Sequence, residues 1–354
     1  MRIGNLFWQP SIDPGRGHER LRETIELTQL CERLGFDSVV FGENHFSNYG
    51  LSPNPVLLAA AIGQHTDRIT VGTGIVVLPF WNPVRLAEDA AVADLLLNGR
   101  LELGIGRGYQ QLEFNGLNIP YAQRQARYDE ALAILLKAWT TDCLEHEGTY
   151  FQVPRGVNVL PKPLQKPHPR VLVAAITEES VRAAAATDFK VFGSGQQTVT
   201  EKRSHHDIYL EERRRLGLAG DHWVVGMNRQ VYVIDSTRPD DHERERIAAL
   251  ERARTLWRLG DGLRHDSVSY DRGVVTGHPL TDEPPDLEGY APRVIFGTPE
   301  QVLEQFRALR AQGVQEVNLM TEFGFLDFAR TRRSIELFGK EVLPVLRADE
   351  PVAA

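Results

Sequence analysis

The run Gly104-Ile-Gly106-Arg107-Gly108-Tyr109 puts three glycines and an arginine directly behind a short apolar stretch. Backbone without side chains lets a flat ring or a phosphate come close, and a guanidinium adds a fixed charge shaped for phosphate oxygens. The spacing does not match the dinucleotide fingerprint G-x-G-x-x-G, so a phosphate or flavin role and a simple turn of the chain both remain open. A second group, Glu43-Asn44-His45-Phe46, follows the apolar run Ser38–Phe41. It offers an imidazole either for proton transfer or for a structural hydrogen bond. In a third, Ile176-Thr177-Glu-Glu-Ser180, two hydroxyls and the free amides of a helix start suit an anion, while plain helix capping would select Thr177 equally well. Trp8, Phe46, Phe80, Trp81 and Tyr109 fall near the same strand ends, where several aromatics suit a flat ring. Metal-ligand spacing is absent, and neither G-x-S-x-G nor H-E-x-x-H occurs.

The elements that must position these groups alternate almost from end to end. Strands are expected at Ile3–Trp8, Ser38–Phe41, Ile69–Leu78, Leu101–Ile105, Val171–Ala175, Lys190–Phe192, Trp223–Ile234 and Glu316–Met320, with amphipathic helices between them. Thr298-Pro-Glu-Gln301 reads as a capping box, with threonine at the cap and proline at the first helical position. Leu144–Val159 reads as a hairpin-like excursion. Gly260–Arg293 lacks periodicity and is expected to be a long loop of the kind that forms lids. A doubly wound sheet fits the alternation, but its even spread to the end of the chain favours a (β/α)8 TIM barrel with a long insertion before strand eight, in a single domain over residues 1–354.

Composition narrows the class. Of the 354 residues 42% are apolar and 25% charged, which supports a globular protein with ample core. A net charge of −8 argues against nucleic acid or an anionic membrane as a partner. No apolar run reaches the roughly 18–20 residues that span a bilayer, and the first residues read as a strand, so a cytoplasmic protein is expected. Two cysteines, Cys31 and Cys143, are too few for a disulfide framework, and Cys31 falls on the apolar face of a helix.

The chain resembles the bacterial-luciferase-type flavin monooxygenases. The resemblance is carried by MRIGNLFW, GFDSVVFGENHFSNYGLSPNP, ITVGTGIVVLPFWNPVRLAEDAAVADLLLNGRLELGIGRGY, ITEES and FGTPEQVLEQFRALRAQGVQEVNLM, which together extend over essentially the whole length. It implies a barrel that uses reduced FMN from a separate flavin reductase and dioxygen to oxygenate an aldehyde, ketone or aromatic compound through a C4a-peroxyflavin. It implies that Thr73, Gly74 and Ile75 lie against the ring across a cis Gly74-Ile75 bond. Gly106, Arg107, Gly108 and Tyr109 would lie by the cofactor, with the phosphate between Arg107 and the Thr177–Ser180 turn. Asn44, His45 and Glu113 would be the catalytic groups, and a homodimer is expected.

Two departures from the family's light-emitting catalytic chain bear on mechanism. Asn44 replaces a histidine, and Gly106 replaces a reactive cysteine. Asparagine donates a hydrogen bond but is no base at neutral pH, so light emission is put in doubt and His45 is the nearest base. Two other readings follow. The same barrel could carry a deazaflavin and transfer hydride, or the chain could be a non-catalytic partner subunit.

Overall fold

The computed structural model describes residues 1–192, 197–235, 238–264, 269–271, 274–277 and 287–349. The first third follows the expected alternation: β1 Arg2–Phe7, α1 Gly17–Leu34, β2 Ser38–Phe41, α2 Pro55–Gly63, β3 Thr70–Thr73, β4 Val76–Val77, α3 Pro83–Leu96 and β5 Leu101–Gly106. Helix starts are set by local chemistry. Asn54 and Asn82 accept from backbone amides at the heads of α2 and α3, each followed by a proline at the first helical position. The expected strand Ile69–Leu78 is broken into β3 and β4 at the Gly74-Ile75 peptide, which is cis.

The middle of the chain adds α4 Gln111–Gly116, α5 Arg124–Thr140, and the antiparallel hairpin β6 Leu144–Glu147 with β7 Gln152–Val157. There follow β8 Arg170–Ala174, α6 Glu178–Ala185, β9 Lys190–Phe192, α7 Val199–Arg215, β10 Trp223–Val224 and β11 Gly226–Val233. The short helix α4 was not expected from sequence. Its six residues are too few for a periodic signal.

The stretch Gly260–Arg293 corrects the expectation of a structureless loop. Its first residues belong to α8 Pro239–Arg264, and β12 Ser269–Asp271 pairs antiparallel with β13 Val274–Gly277 ahead of α9 Leu287–Tyr290. Residues 265–268, 272–273 and 278–286 lie outside the described residues. Gly260 and Gly262 hide the end of α8 from sequence reading. The helix nevertheless continues, because Leu256, Leu259 and Leu263 are buried on one face. An unexpected strand, β14 Val294–Gly297, precedes α10 Pro299–Ala311 with its Thr298–Gln301 capping box, β15 Glu316–Met320, α11 Phe328–Leu337 and α12 Leu343–Ala348.

All neighbours in the main sheet are parallel, in the order β10-β9-β8-β5-β3-β2-β1-β15-β11-β14, with β4 also paired to β5. The sheet curls: β10 at one end of the path continues through Val225 into β11, near the other end. This is an α/β barrel-like fold with the carboxyl ends of the strands on one rim. Alternation along each strand sends Ile3, Val39, Val71, Leu103, Val191 and Leu319 outward into the main core under the helices. The inward positions at the opposite end hold ions. Lys190 Nζ lies 3.1 Å from Glu102 and 2.8 Å from Glu316, and Arg2 lies 3.3 Å from both. Burial raises the pKa of the Glu102 carboxyl, but Lys190 and Arg2 outweigh it and hold the group below its ordinary value. A second apolar cluster joins Tyr49, Leu112 and Phe323 of the rim to Leu250, Leu256 and Leu263 of α8, so α8 is packed onto the strand ends.

Candidate active site

Three of the groups singled out from sequence meet at this rim. Glu43, just past β2, has a fully buried carboxylate. It accepts from the Val77 amide at 2.8 Å and from the Trp81 indole at 3.1 Å, and lies 3.0 Å from His45 Nε2. Burial pushes the Glu43 pKa up, against the pull of those donors. For His45, burial disfavours the imidazolium, but the hydrogen bond and charge of Glu43, with Glu113 beyond, outweigh it and raise the pKa. From α4, Glu113 accepts the His45 backbone amide at 2.8 Å, and Gln110 donates to Asn44 Oδ1 at 3.3 Å. Asn44, His45 and Glu113 thus form one cluster across two neighbouring loops. Asn44 Nδ2 is buried with no hydrogen-bond partner among the described residues.

Glu113 is nearly inaccessible, and burial raises its pKa to about 7, aided by the Glu43 charge and opposed by His45. A carboxyl poised there can hold or release a proton at neutral pH. Sequence reading missed Glu43 and Gln110 as the groups that position this cluster. The carboxylate directly before Asn44-His45 was the available signal for the first. Gln110 gave none.

Beside this cluster the strand ends form a bare wall. Gly104 and Gly106 of β5 face inward, next to Gly74 after β3. A Cβ on Gly106 would sit 2.2 Å from Ile75 Cδ1, and one on Gly74 would sit 2.4 Å from Val40 Cγ1. Gly74, Ile75, Arg107 and Gly108 stay partly exposed, whereas the Thr73 hydroxyl is buried and committed to the Gly104 carbonyl at 2.8 Å. Gly108 has φ +75°, a conformation that favours glycine. The flat wall with an arginine at its edge fits a ring system carrying a phosphate.

Arg107 itself donates to Gln125 at 3.0 Å. Thr177 and Ser180 are brought to the neighbouring strand end but engage each other in a capping box: Ser180 Oγ accepts from the amides of Ile176 and Thr177 at 3.0 and 2.9 Å. The structure therefore gathers the catalytic candidates directly. It brings Arg107 and the hydroxyl turn to adjacent strand ends, each hydrogen-bonded locally. Of the rim aromatics, Phe80 packs edge-on against Phe114 and His45, Trp8 against Tyr49, and Tyr109 lies under the Arg264 guanidinium at 5.2 Å.

The family model for luciferase-like monooxygenases matches residues 2–316. The chain belongs to that family. Among its relatives, the oxygenase component of a flavin-dependent trigonelline monooxygenase from Acinetobacter baylyi is 29% identical over 91% of this chain and 89% of its own length. An FMNH2-dependent dimethylsulfone monooxygenase from Pseudomonas putida is 25% identical over 96% and 94%. The crystal structure of a monooxygenase from Streptomyces bottropensis superposes with a TM-score of 0.81 at 26% identity, covering 98% of this chain and 99% of that one.

Glu113→Gln is expected to flatten the pH dependence of stability. The unfolded carboxyl releases its proton near 4.5, before the folded one does near 7. The wild-type contribution is therefore complete below about 4.5 and gone above about 7. Roughly 3 kcal/mol should be lost across that window, as an upper figure. Denaturant titrations of both forms at pH 4.5, 6 and 8 check it. Parallel pH profiles would disprove the buried, protonated state.

Proposed function

We propose that this chain is the oxygenase component of a two-component flavin monooxygenase, a cytoplasmic homodimer built on a single (β/α)8 barrel with its insertion before strand eight. The observation that carries the cofactor is the wall of bare backbone at Gly74-Ile75 and Gly106-Arg107-Gly108, in which Gly74, Ile75, Arg107 and Gly108 stay partly exposed. Reduced FMN, delivered by a separate reductase, would supply the reaction with dioxygen. Thr73, Gly74 and Ile75 would back its ring, with Tyr109 close by. Arg107, released from Gln125, would hold its phosphate together with Thr177 and Ser180.

The chain's own groups then divide the work. Asn44 offers an amide donor and no base. Glu113 can hold or release a proton near neutral pH, and His45, oriented by Glu43, stands beside it with its pKa raised by that carboxylate. The monooxygenase names of the full-length relatives favour this reading over hydride transfer to a deazaflavin. The retained Arg107 and its flanking glycines favour it over a non-catalytic partner subunit.

The insertion is proposed as a lid. Its described residues reach the same loops: Asn48 accepts the Val275 amide at 3.2 Å, Gly260 lets Tyr49 approach closely, and Arg264 covers Tyr109. Excluding water there protects reactive intermediates from side reactions. The dimer is supported by apolar side chains left outside on α2 and α3: Leu57 at 67% exposure, with Val92, Leu95 and Leu96 each above 40%.

Arg107→Ala should weaken reduced-FMN binding by roughly 10- to 100-fold, the weight of a charge-assisted hydrogen bond, without lowering the melting temperature. Anaerobic titration reads this directly, and an unchanged affinity would remove the phosphate role. Replacing residues 269–277 with a glycine–serine linker should leave FMN binding intact but raise the hydrogen peroxide released per flavin consumed. Full coupling in that variant would end the lid proposal. Leu57→Glu combined with Leu96→Glu should turn a dimer into a monomer in light scattering. A wild-type monomer, or a variant that stays dimeric, would place the interface elsewhere.

A further inference from the structure

The wall of the barrel opposite the glycines belongs to β11 and β15. Met227, Val231 and Val233 point outward into the main core, and the Val233 amide donates to Ser334 on α11 at 2.9 Å. Alternation therefore turns Asn228 and Gln230 inward. Asn228 confirms this, since its Oδ1 accepts from Asn318 Nδ2 at 3.3 Å and Asn318 abuts Gly4 on the inner face of β1. Gln230 stands one step closer to the rim, opposite Met320 in β15 and Val294 in β14.

The inner face is open at this level. Val40, Leu172, Gln230 and Met320 are half-buried and Ala174 is exposed, although helices cover the outside of the sheet. Inward strand positions along this opening carry no charge among the described residues; Arg2, Glu102, Lys190 and Glu316, with Arg170 beside Glu102, all lie at the far end of the barrel. Asn228 is committed to Asn318, whereas the Gln230 amide hydrogen-bonds to no described side chain or backbone group. A primary amide here presents one donor pair and one acceptor to an otherwise apolar opening.

We propose that Gln230 is a specificity-determining residue that binds the polar end of an uncharged, carbonyl-type substrate, across the opening from the glycine wall. The assignment rests on the reading of that wall as the flavin site. A neutral amide favours a ketone, aldehyde or carboxamide over a carboxylate, because the inward positions of this wall along the opening carry no cation to offset desolvation of a charge, Arg229 lying on the outward side of β11. Val40, Leu172 and Met320 supply the apolar contacts for the rest of the molecule.

The test uses the full chain with benzamide, cyclohexanone, toluene and benzoate as probes, with affinities read by calorimetry. Wild type should bind benzamide and cyclohexanone about tenfold more tightly than toluene or benzoate, the weight of one well-placed hydrogen bond. Gln230→Leu should erase that preference while leaving FMN affinity and melting temperature unchanged. Gln230→Glu, which when ionised accepts but does not donate, should lose cyclohexanone and keep benzamide. Equal affinities in wild type, or an unaltered preference in either folded variant, would overturn the proposal. A wild type that discriminates among the probes but binds no FMN would instead overturn the flavin reading.

Discussion

A carboxylate with no access to water organises the rim. Glu43 is held by the Val77 amide, the Trp81 indole and the His45 imidazole, so the loop after β2 is tied to the turn that follows β4. Leaving such a group without its donors would cost several kcal/mol, so these donors are required wherever the carboxylate stays ionised. The direction of the His45 ring follows from that requirement. Because the His45 amide is in turn held by Glu113, the position of α4 is coupled to the same hub. Removal of any one donor would loosen two loops at once.

How much of this the sequence discloses depends on the range of the interaction. Ser38–Phe41, Lys190–Phe192 and Glu316–Met320 have the bounds expected from apolar runs, since each is decided by its own residues. The bare backbone of Gly104, Gly106 and Gly108 behind a strand was legible for the same reason, although spacing left a simple turn open and Gly74 came from the family resemblance. The end of α8 and strand β14 were not legible. Gly260 sits inside the helix because Tyr49, more than two hundred residues earlier, must pass close to it, and no local rule encodes that. The partnership of Gln110 with Asn44 is likewise long-range, joining the loops after β5 and β2 across the end of the intervening β3. Arg107 and the Thr177–Ser180 turn could be placed at adjacent strand ends because β5 and β8 pair, but their present partners could not be read from spacing.

The inside of the curled sheet is graded along its axis. One end holds two cations against two carboxylates, with Arg170 in register beside Glu102, and their Coulomb attraction acts between partly desolvated partners. Above it stand Gly4 and Ser38, beside Asn318 and Asn228, with side chains close enough that a methyl on Gly4 would overlap Asn318. Only beyond this polar layer does the interior open, between glycines on one side and Gln230 with Met320 on the other. The ions are thus separated from the opening by this polar layer, in which Asn318 donates to Asn228 at 3.3 Å. Their field there is weak because opposite charges lie about 3 Å apart and cancel at longer range.

The two sides of the opening are held by different forces. The glycine wall and the Asn44–His45–Glu113 cluster are fixed by hydrogen bonds among strand ends, which set distances and directions closely. The wall that carries Met320 and the rim above it are fixed by apolar packing against α8, through Trp8, Leu256, Phe296 and Phe323. Apolar contact sets area and volume but constrains direction little. A scaffold arranged this way can keep cofactor geometry constant while the opposite wall changes shape through substitutions in the insertion. Unexpected structure lies on both sides of this divide, in β12, β13 and β14 on the packed side and in the break between β3 and β4 and the helix α4 on the hydrogen-bonded side.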